Sequence, residues 1–326
     1  MPETYIITPD YNGKRFLEEY FSSILNQTYN DFKIIFVDNS PHNESLDYIT
    51  ENYSVEISSN KIKIIKNSKN KGFAQANNQG IIESFKDPEC KYIICLNNDT
   101  AVERKFLEKL ISSAHKHPEA GSIQPKMIWG QHPDLLDSAG LEYSRNGLGF
   151  NRGAYENPEK YDVEEEILGC CAGACLYKIK ALEDVEIDGE YFDEDFFAYY
   201  EDFDLALRLR WAGWSSWYCP EAVVWHYKGG TKLPLSEFTV YHNWRNYTWT
   251  LFKNLPYSFL LWNFPLIMIA EISQIFLNLA RGNYIILKAK KDAYTGLKRV
   301  IDKKKRIKRI YPFKEIEKFF ILKWRP

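Results

Sequence analysis

The chain has 326 residues, 45% of them hydrophobic and 26% charged, with a formal net charge of −2 at pH 7. This length allows a large core and one to three domains, and the composition is typical of a soluble protein. The sequence contains neither a Walker loop nor a GxGxxG motif, which disfavours an ATPase and a dinucleotide oxidoreductase. The start of the chain lacks a basic region followed by an apolar core, so we expect no secretory signal and six reduced cysteines.

Residues 1–100 alternate short apolar runs with helical patterns. The apolar runs predict strands at Tyr5–Thr8, Lys33–Val37, Lys61–Ile65 and Tyr92–Leu96. Helical spacing predicts helices at Lys14–Asn26 and Phe73–Phe85. A series of strand–helix–strand units predicts an α/β fold, with a mostly parallel sheet flanked by helices and right-handed crossovers.

Polar segments follow all of these predicted strands. They are Thr8–Asn12, Asp38–Ser40, Asn67–Phe73 and Asn97–Asp99. Ligands of such sheets bind beyond the carboxyl ends of the strands, so we expect these segments to form one binding rim. Turn formation alone explains Asn, Asp and Gly at these places, but it does not require an acid twice directly after an apolar strand.

Residues 130–166 are rich in Gly, Asn, Pro and charge, which predicts a long, partly mobile excursion near the site. Further on, Glu201, Asp202 and Asp204 lie at the start of an amphipathic helical pattern. Carboxylates flanked by apolar bulk are candidates for a raised pKa and for proton transfer. The alternative is that they stabilise the helix through its dipole and, for Asp204, through an i,i+4 pair with Arg208.

Asp99 is the best candidate for a metal ligand, because a carboxylate that ends a strand can hold Mg²⁺ or Mn²⁺ together with a substrate diphosphate. Asn97 and Asn98 could ligate weakly or through water, although Asn-Asn-Asp is also a common turn. Trp214–Tyr218 and Ala222–His226 predict two short strands, and Ser236–Phe252 predicts a helix. His226 could bind near phosphate beside the glycines of 227–231, or could be structural.

The C-terminal part combines an apolar segment with a basic tail. Asn254–Ala270 is 17 residues without a charge, Glu271 interrupts, and Ile272–Ala280 is again uncharged. This segment could span a membrane, lie in its interface, or be buried in the protein or in an oligomer. Residues 281–326 carry a net charge of +12, and residues 1–280 therefore carry −14. The tail predicts binding to anionic phospholipid rather than nucleic acid, because the apolar segment adjoins it.

The polar segments together resemble a known family. Thr8–Asn12, Asp38, Asn70-Lys-Gly-Phe-Ala74 with Asn78-Gln-Gly80, Leu96–Asp99 and Tyr200–Asp204 occur in order and at intervals similar to those of family 2 inverting glycosyltransferases. The resemblance covers about residues 4–252 and is specific to the rhamnosyltransferase-like branch that builds bacterial surface polysaccharides. It implies a GT-A fold, with residues 1–252 as the catalytic domain and 253–326 as an amphipathic helical, basic, membrane-associating region.

The resemblance also implies roles for individual residues. Asp38 would bind the pyrimidine of the donor, Thr8, Pro9 and Tyr11 would line that pocket, and Asn70 and Gly72 would contact the nucleotide or its ribose. Asn97, Asn98 and Asp99 stand at the family's DxD motif, with Asn97 replacing the first Asp; Asp99 and His226 would hold Mg²⁺ or Mn²⁺. Asp202 would be the catalytic base with Glu201 as its neighbour, and Asp204 and Trp211 would orient the acceptor.

The sequence therefore predicts an enzyme that transfers a sugar, with rhamnose favoured, from a dTDP- or UDP-sugar to a hydroxyl of a glycan acceptor that is lipid-linked. Its expected location is cytoplasmic and peripheral on the inner face of the cell membrane, with no nucleic-acid partner and with a homo-oligomer possible. Alternatives are a catalytically silent nucleotide-sugar or glycan-binding scaffold and a sugar-nucleotidyltransferase. The second of these would need a Gly-rich basic loop directly after the first strand, which Thr8–Gly13 does not offer.

Overall fold

The computed structural model describes residues 2–227 and 236–323. Its strands, in chain order, are β1 Thr4–Asp10, β2 Phe32–Asp38, β3 Ile62–Lys66, β4 Tyr92–Leu96, β5 Thr100–Val102, β6 Ala120–Trp129, β7 Leu136–Ser138, β8 Leu141–Ser144, β9 Gly149–Asn151, β10 Glu165–Ile167, β11 Ala174–Lys178, β12 Ser215–His226 and β13 Phe320–Ile321.

The α-helices follow the same order. They are α1 Leu17–Leu25, α2 Glu44–Asn52, α3 Ser54–Ser58, α4 Gly72–Ser84, α5 Phe106–Lys116, α6 Ile179–Val185, α7 Glu201–Trp211, α8 Glu237–Asn254, α9 Tyr257–Trp262, α10 Phe264–Ala280, α11 Ile285–Thr295, α12 Leu297–Lys304 and α13 Phe313–Glu317. Short 3-10 turns cover Lys14–Phe16, Pro158–Lys160 and Glu194–Phe196.

One large sheet organises the described residues. Its strand order is β10-β12-β6-β11-β4-β1-β2-β3, with β5 added to β12 and β7 added to β6. The half from β4 to β3 is parallel, which places the carboxyl ends of β1, β2 and β4 at one edge. Strand β11 is antiparallel to both β4 and β6, so the second half of the sheet is mixed. A separate small sheet has the order β13-β8-β9.

Helices cover both faces of the large sheet. Strand β4 is buried along its whole length, as expected for a strand with helices on both sides. One core cluster packs α1 and α5 on the first face, and a second packs α4, α6 and α7 on the opposite face. A third cluster joins α7 and the small sheet to α8 and the helices that follow it, so the C-terminal region shares a core with the preceding residues.

The predicted elements of residues 1–100 are confirmed with boundary shifts, because periodicity reports burial directly. The two strands predicted at Trp214–Tyr218 and Ala222–His226 are instead one strand, β12, with a register irregularity between Cys219 and Val223. The prediction of a long, partly mobile excursion at 130–166 is wrong, because this segment contains β7, β8, β9 and the start of β10. All six cysteines are free thiols, as predicted.

The basic tail is less isolated than its composition predicts. The ammonium of Lys303 lies 2.9 Å from Glu190 and 2.5 Å from Asp193, and Lys308 lies 2.9 Å from Asp184. Acids of the preceding region therefore pair with these cations of the tail. Among residues 2–227 and 236–323, no helix combines the length and the apolar character needed to cross a membrane.

Candidate active site

Two connected cavities lie at the carboxyl edge of the large sheet. The first, which we call the carboxylate cavity, has a volume of about 590 Å³ and is bordered by Glu201 and Asp202. The second, the strand-end cavity, has a volume of about 500 Å³ and is bordered by Tyr11 and Asp99. The two cavities form one cleft, because they share lining residues, namely Asn97, Asn151, Cys171, Tyr199 and His226.

Pairing of β5 with β12 brings Asp99 to His226. Thr100 is the register partner of His226, and the Asp99 carbonyl accepts the Tyr227 amide at 2.8 Å. Nε2 of His226 lies 3.2 Å from Oδ1 of Asp99, while Nδ1 lies 2.6 Å from Oδ2 of Asp137. Burial lowers the pKa of His226, but the two carboxylates outweigh this effect and raise it to about 10. Asp137 thus orients a ring whose other nitrogen faces Asp99.

This pair is compatible with a divalent cation. An imidazole held by an outer carboxylate is typical of a metal ligand, and Mg²⁺ is commonly bound by one or two carboxylates plus substrate phosphates. Within residues 2–227 and 236–323, no group of three or more His, Cys, Asp or Glu is arranged to hold a metal by itself. Asp99 and His226 therefore fit a site that a donor diphosphate would complete. The glycines at 229 and 230 lie outside the described residues.

Asp10 is a site residue that sequence reasoning missed. Its carboxylate is almost fully buried, accepts the Ser40 hydroxyl at 2.9 Å and accepts the side-chain amide of Asn98. Burial raises the pKa of Asp10. The ends of β1, β2 and β4 are thereby joined through one acid, which fixes the position of Asn98 beside Asp99. Its position directly after the apolar part of β1 was the available indication.

Asp38 lies at the end of β2 and is fully buried. Its carboxylate accepts the Ser40 amide at 2.8 Å and pairs with Lys66 at 2.6 Å. A carboxylate accepts about four hydrogen bonds, so Asp38 retains acceptor capacity for a ligand. Lys66, at the end of β3, was not predicted from the sequence.

The other predicted nucleotide residues differ in their exposure. Tyr11 is exposed and borders the strand-end cavity, and Pro9 is half-buried. Thr8 is fully buried and its hydroxyl contacts that of Tyr20, so its side chain belongs to the core. This contact leaves the Thr8 side chain unable to line the pocket as predicted.

Gly72 connects the start of α4 to the loop before α7. Its amide donates to Oδ1 of Asn70 at 2.8 Å, and its φ of +86° is one that other residues rarely adopt. A Cβ at this position would lie 2.6 Å from the carbonyl oxygen of Phe197. Glycine is thus required both by conformation and by the close approach of the loop.

Glu201 and Asp202 are the first two residues of α7, and their side chains have different surroundings. Oδ1 of Asp202 accepts the Phe203 amide at 2.8 Å, and burial raises the pKa of Asp202 to about 6. Burial, reinforced by the Asp202 charge, holds the pKa of Glu201 well above its usual range. Oε2 of Glu201 has no hydrogen-bond partner among the described residues. At neutral pH, Asp202 is therefore the ionised member of the pair and can accept a proton.

The loop that leads into these acids is strained. Phe197, Tyr199 and Tyr200 have φ values of +66°, +68° and +68°, conformations that cost about 1–3 kcal/mol each for such residues. Asn246 of α8 holds the loop: its amide donates to the carbonyls of Phe196, Ala198 and Tyr199 at 2.9, 2.8 and 2.7 Å. Sequence reasoning gave Asn246 no role, because nothing local links α8 to this loop.

Asp204 and Trp211 lie away from the cleft. Asp204 is fully buried, with Arg208 at 2.8 Å and Lys253 at 2.8 Å, and these cations lower its pKa against the effect of burial. The indole of Trp211 donates to the Asn254 carbonyl at 2.9 Å. The acceptor-orienting role predicted for both residues does not fit these positions. They hold α7 against α8.

The C-terminal helices supply the far wall of the carboxylate cavity. Trp244 of α8 borders it, as do Gln274 and Asn278 of α10 and Arg281 just after that helix. None of these was predicted to lie in the site. A cavity that contains an ionisable acid, amides and an arginine is suited to a polar, hydroxyl-bearing ligand with an anionic group.

Comparison with known proteins agrees with this geometry. The model of Glycosyl transferase family 2 matches residues 5–186, more than half of the chain. The chain belongs to this family. It is a glycosyltransferase, as the sequence predicts, and its matched segment contains the ends of β1, β2 and β4.

Two similar proteins are named as glycosyltransferases. An N-acetylglucosaminyl-diphospho-decaprenol L-rhamnosyltransferase of Mycobacterium tuberculosis is 25% identical over 260 residues, which are 73% of this chain and 80% of the relative. Glycosyltransferase GlyG of Streptococcus pneumoniae is 29% identical over 105 residues, 32% of this chain and 33% of GlyG.

Solved structures confirm the GT-A fold. A mannosyltransferase, PcManGT from Pyrobaculum calidifontis, in complex with GDP-Man and Mn²⁺, has a TM-score of 0.55 at 13% identity and covers 94% of this chain and 85% of its own. GalNAc-T7 with UDP, GalNAc and Mn²⁺ has a TM-score of 0.58 at 13% identity. This match covers 77% of the present chain and 48% of GalNAc-T7, less than two thirds of that protein.

Proposed function

We propose that the enzyme transfers a sugar, with inversion at the anomeric carbon, from a dTDP- or UDP-sugar to a hydroxyl of a lipid-linked glycan acceptor. Rhamnose is the favoured sugar, which the M. tuberculosis relative supports by its name. The observation that carries the proposal is Asp202: a carboxylate with a pKa of about 6 in a cavity that continues into that of Asp99 and His226.

The donor occupies the strand-end cavity in this proposal. Asp38 accepts a hydrogen bond from the pyrimidine, which lies beside Pro9 and Tyr11, while Thr8 packs beneath them in the core. Asn70 and Gly72 contact the nucleotide. Asn97 and Asn98 contact the donor sugar or the diphosphate. Asp99 and His226 would hold Mg²⁺ or Mn²⁺, which would neutralise the charge that grows on the departing diphosphate. The Mn²⁺ present in structures of similar fold supports this assignment.

The acceptor occupies the carboxylate cavity. Its hydroxyl oxygen bonds to the anomeric carbon as the bond from that carbon to the diphosphate breaks, and the hydroxyl proton passes to Asp202. Glu201 stays protonated beside it, because two charges so close in a buried site oppose each other. Inversion requires base and leaving group on opposite sides of the sugar, and the cleft has the two cavities on either side of Asn97 and Cys171.

A lipid-linked acceptor is supported by the polar wall of this cavity. Arg281 suits an anionic group such as a diphosphate, and Trp244 suits the face of a sugar ring. The name of the M. tuberculosis relative describes an acceptor with such a diphosphate. We further propose that the enzyme works in the cytoplasm, at the inner face of the membrane that holds the acceptor.

The test is a screen of nucleotide sugars, with Mg²⁺ or Mn²⁺, for thermal stabilisation of the full chain. A donor at 100 times its Kd should stabilise the fold by about 2.7 kcal/mol, so the preferred donor should stand out. Incubation of that donor with glycan acceptors, followed by determination of the anomeric configuration of the product, then tests transfer and inversion. A silent scaffold would bind a donor and yield no product with any acceptor. A nucleotidyltransferase would instead release diphosphate from a nucleoside triphosphate.

A further inference from the structure

Helix α10 is amphipathic in the opposite sense to an ordinary surface helix. The side that faces the protein carries apolar Ile267 and Ala270 in the first half of the helix and the polar residues Glu271, Gln274 and Asn278 in the second half, all of them buried. Glu271 lies 2.5 Å from the Lys290 ammonium of α11 and accepts the Thr248 hydroxyl of α8 at 3.2 Å. These polar groups therefore face the protein or the carboxylate cavity, and they do not form a solvated outer face.

The outward side of α9 and α10 is apolar. Trp262 and Leu261 are 84% and 75% exposed, and Ile272 and Phe276 are 60% and 69% exposed. Phe264, Met268, Ile272 and Phe276 recur every four residues, so they form one continuous stripe along α10. We call this stripe, with Leu261 and Trp262, the apolar face. Exposed apolar patches of this kind mark interaction sites, because water-exposed apolar area is costly.

The charges beside the apolar face are basic. In residues 255–300 the acids are Glu271, paired with Lys290, and Asp292, which accepts the Tyr241 hydroxyl at 2.7 Å. Exposed Lys288 and Lys291 of α11 flank Leu287, which is itself exposed. Within residues 255–300, the exposed charged side chains beside the apolar face are thus basic, and the two acids of this range are both engaged in contacts.

We propose that the apolar face docks in the plane of an anionic lipid bilayer, with Lys288 and Lys291 on the headgroups. Apolar side chains with Trp at the edge and lysines alongside are the composition of helices that lie in the membrane interface. A second copy of the chain is a poorer occupant, because an isologous contact would place like-charged lysines of the two copies close together. This deepens the proposed function, on which it rests: Gln274, Asn278 and Arg281 line the carboxylate cavity, so docking through the other side of α10 would hold that cavity next to the membrane that carries the acceptor.

The proposal narrows the sequence prediction, in which the apolar segment and the whole basic tail together form the membrane-associating region. Lys303 and Lys308 form ion pairs with acids of the preceding region. The docking determinants are instead the apolar stripe and two lysines of α11.

Co-sedimentation of the full chain with vesicles tests the proposal. The wild type should bind phosphatidylcholine vesicles that contain phosphatidylglycerol, and the pair Ile272→Glu and Phe276→Glu should lower the partition coefficient by at least about tenfold. The matched control is Val55→Glu with Val163→Glu, two residues as exposed as these but remote from α10, which should not change it. Lys288→Gln with Lys291→Gln should lower binding by about fivefold for each lysine, and Lys105→Gln with Lys180→Gln should not.

Three outcomes overturn the proposal: no binding of the wild type to anionic vesicles, equal loss in the control pair, or a wild-type dimer that Ile272→Glu and Phe276→Glu dissolve without any vesicle binding. Thermal unfolding of each variant verifies that it is folded. Transfer to a water-soluble acceptor is measured separately with the same preparations. A wild type that transfers the sugar but does not bind anionic vesicles contradicts only the docking surface, and a wild type that binds vesicles but does not transfer contradicts only the proposed reaction.

Discussion

The imidazole of His226 lies between two carboxylates, with Nε2 3.2 Å from Asp99 and Nδ1 2.6 Å from Asp137. Two strands that are distant in sequence, β5 and β12, create this contact by pairing at Thr100 and His226. A cation that replaced the proton on Nε2 would find a carboxylate and an oriented imidazole already in place. The assignment of a metal site to Asp99 and His226 can therefore be tested by substitution.

Asp99→Asn should abolish the extra thermal stabilisation that Mn²⁺ gives in the presence of a nucleotide sugar, because the neutral amide is a poor ligand for a hard cation. The comparison is the melting temperature with donor, with and without Mn²⁺. Asp31→Asn, at an exposed surface position, is the control and should retain the full shift. An unchanged shift in Asp99→Asn would remove Asp99 from the metal site.

Asp202→Asn should lower kcat by roughly 10²–10⁴-fold, because the amide cannot accept the acceptor's proton. Donor affinity, measured by calorimetry, should stay near that of the wild type. Asp188→Asn, an exposed isosteric change, is the control. If Asp202→Asn kept full transfer activity and Glu201→Gln lost it, Glu201 would be the base instead.

The pH dependence of kcat should follow the ionisation of Asp202. Burial raises the pKa of Asp202 to about 6, so this side chain is ionised above pH 6 and protonated below it. A base acts only when it is ionised, so kcat should reach a plateau above pH 6 and fall by about tenfold per pH unit below it. A wild-type profile that stays flat down to pH 4.5, at saturating donor and acceptor, would contradict Asp202 as the base.

Asn246→Ala should destabilise the fold by about 2–4 kcal/mol and also lower kcat, because the Ala198 and Tyr199 carbonyls of a strained loop lose their donor. Urea unfolding gives the first quantity, and transfer assays on the folded fraction give the second. Asn52→Ala is the control: Asn52 donates to the Tyr48 carbonyl within α2, where the side chain is exposed. A variant with wild-type kcat would show that Asn246 supports the fold without positioning Asp202.

Glu271→Ala should destabilise the chain by about 3–5 kcal/mol, because it leaves the buried ammonium of Lys290 without its carboxylate partner. Burial already lowers the pKa of Lys290. Replacing both partners with apolar residues, Glu271→Leu with Lys290→Met, should recover most of this loss. Glu315→Ala breaks the exposed pair with Lys318 and should cost less than about 1 kcal/mol. Equal costs for the two alanine variants would contradict the polar packing of α10.

The sequence predicts the first half of the fold well because each element there is defined by local periodicity. Strands β1 to β4 alternate with helices, and their polar ends converge because parallel strands end at one edge. Asp99 and Asp202 could be proposed for the same reason, because Asp99 follows a predicted strand and Asp202 lies at the start of a predicted helix. Family resemblance supplied the roles, which geometry alone does not assign.

Local periodicity does not contain the contacts between distant elements. It could not indicate that Asp10 orients Asn98, that Asn246 holds the loop before Asp202, or that Asp204 faces Lys253 rather than the cleft. Each depends on which helix packs on which strand. Trp211 was misassigned for the same reason, since its indole meets the Asn254 carbonyl.

By itself, the sequence determined the α/β class, the strands and helices of residues 1–100 and the polar segments that follow the strands, because these follow from patterns within about 15 residues. It also showed that 254–280 is apolar, but not which side of it the protein covers. Only the tertiary structure decided that, because Lys290 and Thr248 draw Glu271 inward and leave Ile272 and Phe276 facing out. A buried charge needs its partner, and the partner's location is set by packing rather than by spacing along the chain.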